Sequence, residues 1–204
     1  MSPPPAATLD AAALSSRILD AIDPRLRPEV AAALARGEGT PTRLPLPAGA
    51  RVALVGHRAA GKTRLLPMVA ELTGRPAFDL DRELEAHHGR LLSDWVREDE
   101  PSFRAAERAR FLAFPAESVV AVGGGFLSLH ADLLEGHVPL LVPVTFETFR
   151  ERLLADTSRP RLRPDLSLEE ELSQVFRARE TAHARVRTVS LVDFLLAFTR
   201  PGSR

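Results

Sequence analysis

Eight consecutive residues constrain this chain more than any others: Gly56-His57-Arg58-Ala59-Ala60-Gly61-Lys62-Thr63. They fit the pattern G-x-x-x-x-G-K-[ST]. An apolar run, Arg51–Val55, precedes them, and a stretch with helical spacing follows as far as Leu72. A glycine-rich turn from strand to helix lets successive backbone N–H groups face inward, and the helix N-terminus adds the positive end of its dipole. That is a cradle for phosphate. In it, a lysine at the position of Lys62 reaches the β- and γ-phosphates, and the Thr63 hydroxyl offers Mg²⁺ the oxygen ligand it prefers. Composition isolates the same lysine, because among 27 Lys and Arg residues Lys62 is the one lysine. A compact ammonium fits a tight loop where a planar guanidinium does not. Gly56, Ala59, Ala60, Gly61, Lys62, Thr63 and Arg64 are therefore expected to line a nucleotide's phosphates. His57 and Arg58 fill variable positions and read as solvent-facing loop residues.

The rest of the chain sets the frame for this loop. With 204 residues, 45% hydrophobic and 26% charged, the chain is long and apolar enough for one globular domain with an extension. A formal net charge of zero leaves no electrostatic footprint for nucleic acid or an anionic membrane. Cysteine is absent, which excludes disulfides and thiolate metal sites. No apolar run approaches the ~20 residues of a bilayer span, and Met-Ser-Pro-Pro-Pro does not read as a secretory signal. The expectation is a cytoplasmic monomer acting on small molecules.

Residues 1–50 read as a helical extension and linker: a helix over Leu9–Ile22, a second over Arg27–Arg36, then a proline-containing connection. They could cap the main domain, contact another chain or be inert. Residues 51–204 alternate between strand and helix. Strands are expected at Arg51–Val55, Ala77–Leu80, Ser118–Val122, Val138–Val144 and Val186–Val192. Helices are expected at Arg82–His88, Leu91–Glu98, Ser102–Phe114 with Pro101 at its first position, Thr145 to Leu154, and from a capping box at Ser167 to about Ala184. Apolar strands alternating with helices predict a three-layer α/β/α sandwich of the P-loop NTPase type around a parallel sheet of about five strands.

Four further features could carry chemistry. Asp79 and Asp81 close the second strand. Alternation puts both carboxylates on one side, at the sheet edge where ligands bind in open α/β folds. One could hold Mg²⁺ through water and the other accept a hydroxyl proton, although Asp81 would also serve as a helix N-cap. Gly123-Gly124-Gly125 follows a buried strand and could present N–H groups to a polar ligand, or simply turn the chain. Arg104 and Glu107 share a helix face, as a site pair or a surface ion pair. Arg159, Arg161 and Arg163 lie in a polar segment, Ala155–Leu166, that reads as a mobile loop, either an arginine lid over phosphates or a solvated basic loop.

In this order, the P-loop, Asp-x-Asp, Phe-Arg-x-x-Glu, Gly-Gly-Gly, Arg-Pro and a late helical arginine resemble the shikimate kinase family, over about Arg51 to Val192. The resemblance implies a kinase that phosphorylates the 3-hydroxyl of shikimate with ATP and Mg²⁺, in aromatic amino-acid biosynthesis. It implies that Asp81 binds the shikimate hydroxyls and orients or deprotonates the nucleophile, and that Asp79 supports Mg²⁺ through water beside Thr63. Arg104 and Arg179 would clamp the carboxylate, Glu107 would hold Arg104, and Gly123, Gly124 and Gly125 would line the pocket. Arg159 would close over the phosphates and act with Lys62 and Asp81 in catalysis, and Arg152 would stack on adenine. The chain departs from the family at Arg64, Val96 and His183. It also lacks a loop after the last strand, where Val192-Asp193-Phe194 leads directly into apolar sequence. Two alternatives therefore accompany the kinase: a ligand-sensing module without chemistry, and a kinase for another small hydroxy acid such as gluconate.

Overall fold

The computed structural model describes residues 11–37, 46–156 and 165–199. Its centre is a parallel sheet whose strands are β1 (Val52–Val55), β2 (Ala77–Asp79), β3 (Val119–Ala121) and β4 (Val138–Leu141), in the order β2-β3-β1-β4. Residues β1, β3 and β4 contribute are almost wholly buried, as expected when helices cover both faces. Strand alternation then divides the core in two. Val52, Leu54, Val119, Ala121, Val138 and Leu140 face one cluster, while Ala53, Val55, Val120 and Val122 face the other.

The first cluster is roofed by α3 (Lys62–Thr73) and α9 (Leu191–Thr199), and α1 (Ala11–Ala21) packs on both. Leu14 and Ile18 of α1 and the following Ile22 are fully enclosed, each burial favouring the fold by about 1.5–3 kcal/mol. α2 (Arg27–Arg36) packs on α9 as well. Between the two N-terminal helices, Asp23 is wholly buried. It accepts hydrogen bonds from the Thr145 backbone N–H at 2.7 Å and hydroxyl at 2.8 Å, and from the Thr148 hydroxyl at 2.8 Å. Thr145 is the N-cap of α7 (Phe146–Ala155), so this carboxylate fastens residues 11–37 to the start of α7.

The second cluster lies under α4 (Leu80–His88), α5 (Leu92–Ala113) and the short α6 (Phe126–Leu129). The two helices expected over 91–114 are joined as α5 and kink at Asp99, where φ is −154° and ψ is 76°. Asp99 accepts from the Ser102 N–H at 3.1 Å and so caps the second half. Pro101 therefore sits second in that half, not first. α8 (Leu168–His183) opens on the expected capping box of Ser167 and Glu170.

The expected fifth strand is reduced to one bridge. Val189 lies parallel to Leu140, donating to Pro139 O at 2.8 Å and accepting from Leu141 N at 3.0 Å. Two residues later α9 begins, and its apolar face, with Phe194 and Leu195 fully buried, draws the chain into the core before a ladder can extend. Among the described residues the sheet thus has four strands plus this bridge.

Candidate active site

Because β1 pairs with β3 on one side and β4 on the other, the connections leave β1 and β3 in a crevice at the carboxyl edge of the sheet. The phosphate loop leaves β1 there. Gly56 has φ 133°, and a Cβ on it would stand 2.7 Å from Val142 O, so only glycine passes β4 this closely. Ala59, at φ 57°, completes the curl in the left-handed region, where a Cβ costs about 1–2 kcal/mol. Its carbonyl accepts from Arg152 Nη1 at 2.6 Å, which places Arg152 against the loop. Lys62 is buried, and its Nζ donates to Gly56 O at 2.9 Å and His57 O at 2.6 Å. Arg64 is exposed on the first turn of α3.

Asp79 and Asp81 are placed differently from the strand reading. β2 ends at Asp79, which is the N-cap of α4, its Oδ1 accepting from Arg82 N at 3.3 Å. Asp81 is in the first helical turn, so helical rather than strand geometry directs it, and the cap considered for Asp81 belongs to Asp79. The other Asp79 oxygen, Oδ2, accepts from the Thr63 hydroxyl at 2.7 Å. Two hard oxygen ligands thus stand side by side at the start of α3, a donor set that fits Mg²⁺.

The triple glycine is the floor of a second subsite. A Cβ on Gly123 would be 3.2 Å from both Asp81 Oδ1 and Glu107 Oε1. On Gly125 it would be 3.9 Å from Arg104 Nη2 and 3.9 Å from Arg179 Nη2. Arg104 on α5 and Arg179 on α8, 75 residues apart in the chain (179 − 104), therefore present their guanidinium groups to one point beside the Asp81 carboxylate. Glu107 is 1% exposed and holds Arg104 Nη1 at 3.0 Å and His130 Nε2 at 3.1 Å, while Glu100 takes Arg104 Nε at 3.1 Å.

Arg179 Nη1 is buried with no hydrogen-bond partner among the described residues. Burial first, then the nearby charges of Arg58 and Arg104, lowers its pKa to about 10. It stays charged at neutral pH, and an orphaned buried donor among three guanidinium groups is a site for an anion.

Two loop residues expected to face solvent are turned inward instead. Arg58 lies against Gly124, where a Cβ would come within 2.6 Å of Arg58 N and 2.7 Å of its Cγ. His57 is 3% exposed, stacked on Phe176 with centroids 4.0 Å apart and planes at 5°, and its Nε2 is 2.7 Å from Glu180 Oε1. Nothing local in the sequence signals either placement, because the partners arrive from β3 and α8. His183, the departure noted in the late helix, is buried 4.7 Å from the His57 ring. Val96 is a partly buried member of the core beside Phe103 and Trp95. Arg159, Arg161 and Arg163 lie outside the described residues. No described helix is long and apolar enough to cross a membrane.

Comparison with known proteins bears on this geometry. The family model for shikimate kinase matches residues 58–193. A shikimate kinase of Thermobifida fusca is 39% identical over 116 residues, 53% of this chain and 66% of that protein. One of Salinibacter ruber is 37% identical over 122 residues, 56% of this chain and 60% of that protein. The chain thus spans less than two thirds of the length of these relatives. Among solved structures, a shikimate kinase from Acinetobacter baumannii in complex with shikimate has a TM-score of 0.59 and 26% identity, over 72% of this chain and 88% of that one. The enzyme of Aquifex aeolicus, at TM-score 0.57 and 20% identity over 72% of this chain and 91% of that one, shares the fold.

Proposed function

The chain belongs to the shikimate kinase family, and from that premise we propose that it transfers the γ-phosphoryl group of ATP to the 3-hydroxyl of shikimate. The observation that carries this reading is the convergence of Arg104 and Arg179 on one point over Gly125, with the Asp81 carboxylate beside Gly123. A carboxylate clamp next to a carboxylate base, on the edge of a phosphate loop, suits a hydroxylated acid as phosphoryl acceptor.

Each residue then has a task. Arg104 and Arg179 bind the acid's carboxylate, and the orphaned Nη1 of Arg179 gains a partner when they do. Gly123, Gly124 and Gly125 admit the ring by carrying no side chain. Asp81 accepts the hydroxyl proton or orients the oxygen in line with the phosphorus. Lys62 leaves the carbonyls of Gly56 and His57 for the phosphate oxygens, and its charge counters the one that spreads in the transition state. Thr63 and Asp79 are the residues that would hold Mg²⁺, which offsets phosphate charge when bound. Arg152, whose Nη1 holds the Ala59 carbonyl, is assigned to adenine and Arg159 to the phosphates from the family pattern. As in the family, the product would enter aromatic amino-acid synthesis in the cytoplasm, and the protein would act as a monomer.

A second reading, a module that binds such an acid without chemistry, is favoured by one feature. α9 starts at Leu191, directly after the Val189 bridge, which leaves no loop to contact adenine. Shikimate-dependent ADP release, measured on the wild type and on Asp81→Asn, separates the two. Turnover that collapses in the variant supports the kinase. Binding of shikimate without ADP release from the wild type would make it a sensor.

A further inference from the structure

His57 sits in the phosphate loop yet makes its contacts with α8. Its ring stacks on Phe176 at 4.0 Å, its Nε2 is 2.7 Å from Glu180 Oε1, and His183 lies edge-on at 4.7 Å. Residues 176, 180 and 183 are spaced by four and three, so they form one face of the helix. Arg179 is adjacent to Glu180 and turns toward Gly124 and Gly125. Burial first, then the charges of Arg58 and Arg104, lowers its pKa, and like charge among the three guanidinium groups opposes their approach over Gly124 and Gly125. The grip on His57 pulls the other way.

The same cluster contains ligand types of a transition-metal site, with one atom each of His57, Glu180 and His183 all within 4.8 Å of one another. The surroundings oppose a cation. The His183 pKa is depressed chiefly by burial; Glu180 opposes the shift, and the positive charges of Lys62 and Arg179 add to it, charges that would repel a metal ion as well. His57 is held down to about 4, chiefly by burial, so at neutral pH it is an uncharged ring whose Nε2–H donates a hydrogen bond to the Glu180 carboxylate.

We propose that His57 and Glu180 form a latch between the phosphate loop and α8, and are positioning residues that hold Arg179 against the charge of Arg58 and Arg104 for binding of the acid's carboxylate. The latch links the two substrate subsites through a single loop residue. It rests on the kinase reading above. It also gives His57 a place that a generic phosphate loop, whose work is done by backbone N–H groups, does not require.

Steady-state kinetics with shikimate and MgATP test this on the full chain. In His57→Phe, which keeps the stacked ring and removes the hydrogen bond, KM for shikimate should rise about tenfold, the loss of one bond to a charged group. KM for ATP and the melting temperature should change little, which a merely structural role would not produce. Glu180→Ala should match it, the double variant should be no worse than either, and Glu180→Gln, which keeps an acceptor, should recover most of the affinity. Unchanged KM for shikimate in His57→Phe, or additive effects in the double variant, would overturn the latch. Stoichiometric Zn²⁺ that raises the melting temperature of the wild type, but not of His183→Ala, would overturn it in favour of a metal site. A wild type without shikimate-dependent turnover would remove the kinase reading and the latch with it, an outcome distinct from one in which only the variants behave as wild type.

Discussion

The two halves of the crevice are built by opposite means. The proposed phosphate side is one unbroken segment, Gly56 to Thr63, whose main chain would do the holding, with Lys62 buried inside the loop and Arg58 turned toward Gly124. The proposed acid side is assembled from α4, α5, the turn after β3, α8 and the phosphate loop, and side chains would do the holding. A backbone cradle tolerates side-chain change and needs mainly the right φ values. A side-chain clamp depends on the packing of several distant elements, so each contributor should be sensitive.

The largest expected effect tests the chemistry that joins the halves. Asp81→Asn should lower kcat by about 10²–10⁴-fold, the range for loss of a general base, with both substrates still bound. A near-normal kcat would leave the proton to another group. On the phosphate side, Lys62→Ala should lower kcat by about 10²–10³-fold, as for removal of one transition-state donor. Arg179→Ala should raise KM for shikimate about 100-fold through loss of charge-assisted bonds. Arg179→Lys should restore little of it, because an ammonium cannot reproduce the fork.

Gly124→Ala is where the comparison should break. Its new Cβ meets the backbone of Arg58 at 2.6 Å, so titration should show weaker binding of both shikimate and ATP. Loss of shikimate affinity alone would mean that the halves are separable even at their contact.

Smaller effects sharpen the same contrast. His57 has a folded pKa of about 4, against 6.5 for the free side chain. Between these values the unfolded chain binds more protons, so the stability due to neutral His57 is complete above about pH 6.5 and is lost as pH falls toward 4. His183 and His137 are depressed in the same direction, chiefly by burial. Urea midpoints should therefore be lower at pH 5 than at pH 7, and His57→Phe should flatten the difference. Last, Ala59→Gly should relieve the φ of 57° and raise stability by less than about 1 kcal/mol with turnover intact, as a backbone cradle allows.

Much of the architecture was legible because its signals are local. The capping box at Ser167, the N-cap at Thr145 and the buried strands all appear where periodicity and capping residues put them. The readings that needed revision concern places where a distant element decides. The strand expected over Val186–Val192 shrank to Val189, because Phe194 and Leu195 are drawn into a core shared with α1. Asp79 took the cap considered for Asp81, because the edge strand β2 stops after three residues. His57 looked exposed in a variable loop position, and residues far along the chain, Phe149, Phe176, Glu180 and His183, bury it.

The sequence by itself determined the phosphate-loop motif and the alternation of strand and helix, since these rest on backbone preference and spacing within short segments, while the residues proposed for the acid were implied only by the resemblance to the shikimate kinase family. Only the tertiary structure decided that Arg104 and Arg179 share one point, that Arg58 joins them, and that the N-terminal helices are bound in through Asp23. Backbone preference acts between neighbours in the chain, whereas burial and charge act between neighbours in space.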